Sequence, residues 1–284
     1  MNKFSIVIPA KNEASAIGPV IESASKLPGC HEVIVVDDGS DDDTGLIAVE
    51  QGAKVIRHPY SKGNGASVKT GARAATGDVL VFMDADGQHS PEDIPRIVEF
   101  LSQGYDMVVG ARQKGSQASM GRGLANRFYN RLASYMTGQR VEDLTSGFRA
   151  AKREKFLEFI NLLPNGFSYP TTSTMAFFRA GYSVGYVPID AARREGKSHI
   201  KPMQDGVRFL LIIFKIGTLY SPLKLFVPIS AALLFTGVTY YGYTFTTMGR
   251  FTNMSALLLT TSLIIFMVGL VSEQITALMY SKSD

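Results

Sequence analysis

The 284 residues include no tryptophan, one cysteine and four histidines. The lone Cys30 allows no intrachain disulfide and excludes a four-cysteine zinc site, which fits a reducing compartment for a soluble part. Positive charge exceeds negative by only four, with 29 Lys and Arg against 25 Asp and Glu. That excess is dispersed and no aromatic–basic recognition motif accompanies it, so nucleic acid is excluded as the main partner. The mild basic bias suits a membrane surface or anionic substrates. The opening run Met1-Asn-Lys-Phe-Ser-Ile-Val-Ile-Pro9 is too short in apolar residues for a signal peptide and reads as a first strand.

Charge is missing altogether from two stretches, Leu225–Met248 and Phe251–Ser272. At ~1.5 Å per residue each is long enough to cross a ~30 Å hydrocarbon core. Only Gly249-Arg-Phe-Thr-Asn253 turns between them, so a hairpin of spans at about 225–248 and 251–274 is expected, closed by a short tail to 284. Lys215, Lys224 and Lys282 flank one side and Arg250 the other, which puts the preceding domain in the cytoplasm by the positive-inside rule. Glu273 falls near that cytoplasmic end. The stretch Gln204–Leu219, with Arg208 and Lys215 among Phe, Leu and Ile, reads as an amphipathic helix in the membrane interface. Three regions are thus expected: a globular domain over 1–202, a juxtamembrane helix over 203–221 and the hairpin over 222–284.

In the globular part, apolar β-rich runs alternate with helical patterns. Strands are predicted at Phe4–Ile8, Glu32–Val36, Lys54–Arg57, Val79–Met83 and Met107–Val109. Helices are predicted near Glu13–Lys26, Asp43–Gln51, Asn64–Ala75 and Pro91–Ser102, the last with Ser90 as N-cap and Pro91 at its first position. Continuous apolar strands in such alternation mean an α/β fold with a mainly parallel sheet covered on both faces. Beyond Gly110 the pattern predicts helices at Arg122–Thr137 and Arg153–Leu163 and a strand near Ser183–Val187.

Ligands in such sheets bind beyond the carboxyl ends of the strands. Acidic clusters fall there three times: Glu13 after the first strand, Asp37 and Asp38 after the second, and Asp84 and Asp86 after the fourth. The last pair, spaced i, i+2 on an extended backbone, points to one side. Two hard carboxylates there suit Mg²⁺ or Mn²⁺ completed by substrate phosphates. Lys62-Gly-Asn-Gly65 opens a helix whose N–H groups and lysine could face phosphate or ribose. It lacks the P-loop spacing.

Taken together, Ile8-Pro-Ala-Lys-Asn-Glu13, Val35-Val-Asp-Asp-Gly-Ser40, Lys62-Gly-Asn-Gly65, Met83-Asp-Ala-Asp-Gly-Gln-His89 and Asp143-Leu-Thr-Ser-Gly-Phe-Arg149 resemble the inverting family 2 glycosyltransferases. Within them the similarity is to the dolichyl-phosphate mannose synthase and polyprenyl-phosphate glycosyltransferase branch, over residues 4 to about 205. The resemblance implies a GT-A fold and transfer of a hexosyl unit from a nucleotide-diphosphate sugar to a polyprenyl (dolichyl or undecaprenyl) phosphate. It gives Pro9, Glu13, Asp37, Asp38, Lys62, Asp84 and Ala85 to the donor pocket and Asp84, Asp86 and Gln88 to the metal. Asp86 and Asp143 become the catalytic carboxylates, Asp143 orienting rather than acting as base. Arg112, Arg122, Arg149, Arg193, Arg194, Ser198 and His199 become the acceptor-phosphate candidates. Inversion, a UDP-hexose donor in preference to GDP-mannose, and homo-oligomers through the membrane helices are further expectations.

Two alternatives compete. A processive polysaccharide synthase shares the core but needs a Q-x-x-R-W motif, which a chain without tryptophan cannot supply. A non-catalytic membrane scaffold for sugar nucleotides would have no use for the Asp84/Asp86 pair and the arginine cluster.

Overall fold

The computed structural model describes residues 3–112, 120–166, 168–190 and 218–281. The chain divides into two compact units, Met1–Ser198 and His199–Asp284. The first is a seven-stranded sheet in the order β3-β2-β1-β4-β6-β5-β7. Its strands are β1 (Phe4–Ala10), β2 (Cys30–Asp37), β3 (Lys54–Arg57), β4 (Val79–Phe82), β5 (Met107–Arg112), β6 (Arg149–Lys152) and β7 (Val184–Ile189). Helices α1 (Ile17–Ser25), α2 (Thr44–Glu50), α3 (Asn64–Ala74), α4 (Ile94–Ser102), α5 (Met120–Thr137), α6 (Arg153–Glu158) and α7 (Tyr169–Arg179) connect them. Strand β4, Val-Leu-Val-Phe, is apolar throughout and fully buried, and Ile6, Val35, Val81 and Val108 are among the core.

The predicted strands β1 to β5 and β7 are present, and Ser90 caps its helix as expected, its Oγ accepting from the Glu92 amide at 3.3 Å. Three elements differ from the sequence expectation. β6 runs antiparallel between β4 and β5, pairing Phe82 with Arg149 on one side and Val109 with Arg149 on the other. Its four residues, Arg-Ala-Ala-Lys, have little intrinsic strand preference. The sheet's open ladder between β4 and β5 makes it a strand. Helix α7 was also unforeseen, because Tyr-Pro-Thr-Thr-Ser-Thr reads as non-helical by propensity. Pro170 at its first turn was the available signal. The predicted helix over Arg153–Leu163 stops earlier, at Glu158.

Register positions the site. Ala10 pairs with Asp37 and Val7 with Phe82, so the chain leaves β1, β2 and β4 at the same end of the sheet. Because β6 is antiparallel, the loop Asp143–Phe148 that precedes it arrives at that same end.

The second unit contains α8 (Pro222–Met248) and α9 (Asn253–Ser281), packed on each other. Both are long and apolar enough to cross a membrane. Large apolar side chains cover their outer faces, Phe235 being 75% and Leu278 65% exposed. Between them Ser230 Oγ donates to the Ser262 carbonyl at 3.0 Å and Ser262 Oγ returns to the Ser230 carbonyl at 2.9 Å. Gly237 admits Leu258 and Leu259. The predicted juxtamembrane helix falls, except for residues 218–221, outside the described residues.

Candidate active site

A cleft of about 430 Å³ opens at the carboxyl ends of β1, β2 and β4, lined by Pro9, Ala10, Lys11, Glu13, Asp38, Ser61, Gly63, Asn64, Ser67, Asp84, Ala85, Asp86 and Gly166. The three acidic clusters read from the sequence do converge, with one exception. Asp37 is fully buried outside the cleft lining, accepting from the Ser40 amide at 2.8 Å and lying 3.5 Å from Arg57 Nε.

Asp38 organises the wall of the cleft. Its carboxylate accepts from His58 Nδ1 at 2.7 Å and from Ser61 Oγ, the Lys62 amide and the Gly63 amide at 2.8 Å each. Burial raises the pKa of such a group, but these donors outweigh it and bring Asp38 down to about 2. A carboxylate so fully engaged serves to build the wall of the cleft.

The amides at the start of α3 are engaged as well. Gly65 N donates to the Gly166 carbonyl at 3.2 Å and Ala66 N to the Asn165 carbonyl at 2.9 Å. The expectation that these amides face phosphate is therefore corrected: they clasp the loop after α6. Lys69 Nζ holds the same loop through the Leu163 carbonyl at 3.1 Å and the Asn165 side chain. A Cβ on Gly65 would overlap the Pro164 carbonyl, and one on Gly63 would lie 2.6 Å from that of Asn165. The Lys62 side chain is exposed, its Nζ 5.8 Å from the Tyr60 ring centroid. Sequence reasoning missed His58, Ser61 and the Gly166 wall, because only tertiary contact brings them to Asp38 and α3.

Asp84 and Asp86 stand at the exit of β4. Burial pushes the Asp84 carboxyl up, with His89 opposing and Asp86 reinforcing that rise. Gln88 is half-buried, and its amide donates to Asp86 Oδ1 at 3.1 Å. Gly147 comes so near Asp84 that a Cβ there would lie 3.1 Å from Oδ2, so the absence of a side chain keeps that oxygen accessible. Among the described residues no group of three His, Cys, Asp or Glu forms a self-sufficient metal cage. Two hard carboxylates at a cleft, short of a full coordination set, fit an ion that takes its remaining oxygens from substrate.

His89, buried to 5% exposure, is a neighbour the sequence analysis left unused. Its ring stacks on Phe148 at 5.0 Å, and its Nδ1 lies 4.0 Å from Asp84 Oδ2. Burial lowers its pKa and favours the neutral imidazole.

Arg112, at the end of β5, meets Asp143 in a bidentate pair. Nε reaches Oδ2 at 2.8 Å and Nη2 reaches Oδ1 at 3.0 Å, with Nη2 also donating to Thr145 Oγ1 at 2.6 Å. Asp143 further accepts from the Thr145 and Ser146 amides at 3.1 Å. Burial would raise this carboxyl, but Arg112 and those amides hold it below its ordinary value. An ionised, fully engaged carboxylate orients a guanidinium well and makes a poor proton acceptor.

Arg149 is a correction. Expected to hold acceptor phosphate, it is fully buried instead. Nη1 donates to the Pro170 carbonyl and Ser173 Oγ at 2.8 Å, and Nε to the Ser146 carbonyl at 3.1 Å. The insertion of β6 between β4 and β5 directs it inward, where it ties α7 to the Asp143–Gly147 loop. Arg122 lies on α5 with its side chain outside the described residues. Arg193, Arg194, Ser198 and His199 also lie outside them.

Comparison with known proteins gives consistent matches. Residues 5–159 match the glycosyl transferase family 2, and residues 221–278 match the GtrB C-terminal hairpin. A dolichyl-phosphate hexose transferase of Haloferax volcanii is 31% identical over 215 residues, 75% of this chain and 93% of that protein. An undecaprenyl-phosphate 4-deoxy-4-formamido-L-arabinose transferase of Pectobacterium atrosepticum is 34% identical over 163 residues, 54% of this chain and 50% of its own length. Among solved structures, glucosyl-3-phosphoglycerate synthase of Mycobacterium tuberculosis, in complex with Mn²⁺, UDP and phosphoglyceric acid, aligns with a TM-score of 0.61 and 26% identity. That match covers 76% of this chain and 77% of the other. The same enzyme with Mg²⁺ and UDP aligns at 0.59 and 27% identity, over 75% of this chain and 79% of the other.

Proposed function

The chain belongs to glycosyl transferase family 2, and from that premise we propose that it moves a hexosyl unit from a nucleotide-diphosphate sugar to a polyprenyl phosphate in the membrane. The observation that carries this reading is the Asp84/Asp86 pair in the cleft, with the Arg112 guanidinium, held by Asp143, near enough for its charge to act on Asp84. The apolar hairpin on the same chain supplies a membrane anchor, and the relatives named for dolichyl- and undecaprenyl-phosphate transfer support a lipid acceptor. The lysines flanking the hairpin favour the cytoplasmic side for the catalytic domain.

In this reading Pro9, Glu13 and the wall that Asp38 builds receive the nucleoside, and Asp84 and Asp86 hold Mg²⁺ or Mn²⁺ against the diphosphate. When bound, that ion neutralises charge developing on the leaving nucleotide diphosphate. Arg112, held in orientation by Asp143, presents its guanidinium to the acceptor phosphate. A phosphate monoester is largely dianionic at pH 7, its second pKa being about 6. Its oxygen therefore forms the new bond to C1 without losing a proton, as the C1–O bond breaks and its electron pair leaves with the diphosphate. A single displacement of this kind inverts the anomeric centre. A UDP-hexose is the favoured donor, in keeping with the UDP complexes of the structural relative.

The test uses purified protein in detergent with Mn²⁺ or Mg²⁺, a short polyprenyl phosphate and a panel of labelled nucleotide sugars. Label passing to the organic phase with one donor, and lost in Asp86→Ala, is the expected outcome. Absence of lipid product with every donor overturns the reading and favours a sugar-nucleotide-binding scaffold.

A further inference from the structure

The imidazole of His89 is 95% removed from solvent, yet among the described residues its Nδ1 has no hydrogen-bond partner. A buried polar nitrogen without a partner is costly, so such an atom calls for another state of the protein that uses it. The ring is not loosely held: it lies on the Phe148 face with the two planes 15° apart. That stacking fixes the plane of the ring, and in that plane Nδ1 comes to 4.0 Å from Asp84 Oδ2. Gly147 also adjoins Oδ2, where it brings no side chain of its own; a Cβ there would lie 3.1 Å away. The carboxylate thus has both an aromatic nitrogen and a bare Cα beside the same oxygen.

We infer that His89 is a positioning residue for Asp84, donating its Nδ1–H to Oδ2 when the carboxylate is drawn to a divalent ion. The inference rests on the proposed metal role of Asp84 and Asp86. A separation of 4.0 Å is about 1 Å longer than an N–H···O bond, a gap that a small rotation of the Asp84 side chain closes. A carboxylate fixed by an outer donor keeps one oxygen aimed at the ion, and loss of such a partner lowers metal affinity by about 10–100-fold. Phe148 is the second part of the device, because without its ring the imidazole has no reason to hold one orientation.

The experiment measures Mn²⁺ affinity of the full chain in detergent with UDP, from the free-ion EPR signal, beside thermal midpoints. His89→Phe keeps an aromatic ring against Phe148 and removes the donor; a loss of about 10–100-fold in Mn²⁺ affinity with the midpoint retained is expected. His89→Asn places an amide nitrogen near the Nδ1 position and should recover most of that affinity. His89→Gln places its amide nitrogen nearer the Nε2 position and should not. Wild-type affinity in a folded H89F protein overturns the inference. If H89F does not fold, equal affinities of the Asn and Gln variants overturn it. A wild-type chain that binds no Mn²⁺ with UDP, and is unaltered by Asp86→Ala, removes the metal reading itself and this inference with it.

Discussion

Arg112 and Asp143 face each other through two hydrogen bonds of 2.8 and 3.0 Å, where the end of β5 meets the loop that leads from α5 into β6. Planar pairing of this kind fixes a guanidinium in direction as well as in place. The pair also explains why Asp143 is better suited to orient than to accept a proton, since every bond it makes favours its ionised form.

That assignment makes the two residues act as a unit. Arg112→Ala and Asp143→Asn are each expected to lower lipid glycosylation, and the double variant to be no worse than the poorer single one. A double-mutant cycle on kcat/KM should return a coupling of about 1–3 kcal/mol. Additive effects would separate the two roles and return Asp143 to the position of candidate base.

Asp38 predicts a pH dependence of stability. Its pKa falls from an ordinary 3.8 to about 2 on folding. A depressed carboxyl contributes fully above its unfolded pKa, and that contribution is lost as pH falls through the folded one. Asp38→Asn, which leaves a buried donor facing an amide, should cost about 2–3 kcal/mol near neutrality. The difference from wild type should shrink below pH 4 in urea titrations. A constant gap down to pH 2 would show that the charge on Asp38 is not what holds the loop.

Gly65→Ala forces a methyl group into the Pro164 carbonyl. The clasp between α3 and the 163–166 loop must open, at a cost of about 1–3 kcal/mol. Because Gly166 lines the cleft, UDP affinity measured by calorimetry is expected to fall with stability. Unchanged nucleotide binding in this variant would remove the loop from the donor pocket.

In the hairpin, Ser230 and Ser262 exchange hydrogen bonds to each other's carbonyls. Hydrogen bonds between membrane helices contribute about 0.6–2 kcal/mol. Ser230→Ala with Ser262→Ala should lower the unfolding midpoint in detergent while leaving UDP binding intact. A Gly237→Leu change should do more damage, since Leu258 and Leu259 already fill the space.

Much of this protein was legible in its sequence because the signals are local. Buried strands are written as apolar runs, spans as uncharged ones, and an i, i+2 carboxylate pair at a strand's end carries its own geometry. Those features alone yield the α/β core, the hairpin and the carboxylates Glu13, Asp38, Asp84 and Asp86 on one cleft. Tertiary structure decided what local signals do not encode. It made a strand of Arg149–Lys152 by offering an open ladder, and so turned Arg149 from a candidate ligand into a core residue. It spent the α3 amides on a loop about a hundred residues away, and it set His89 between Phe148 and Asp84. The reason is common to all three: hydrogen-bond partners and stacking faces distant in sequence meet only once the sheet order is set.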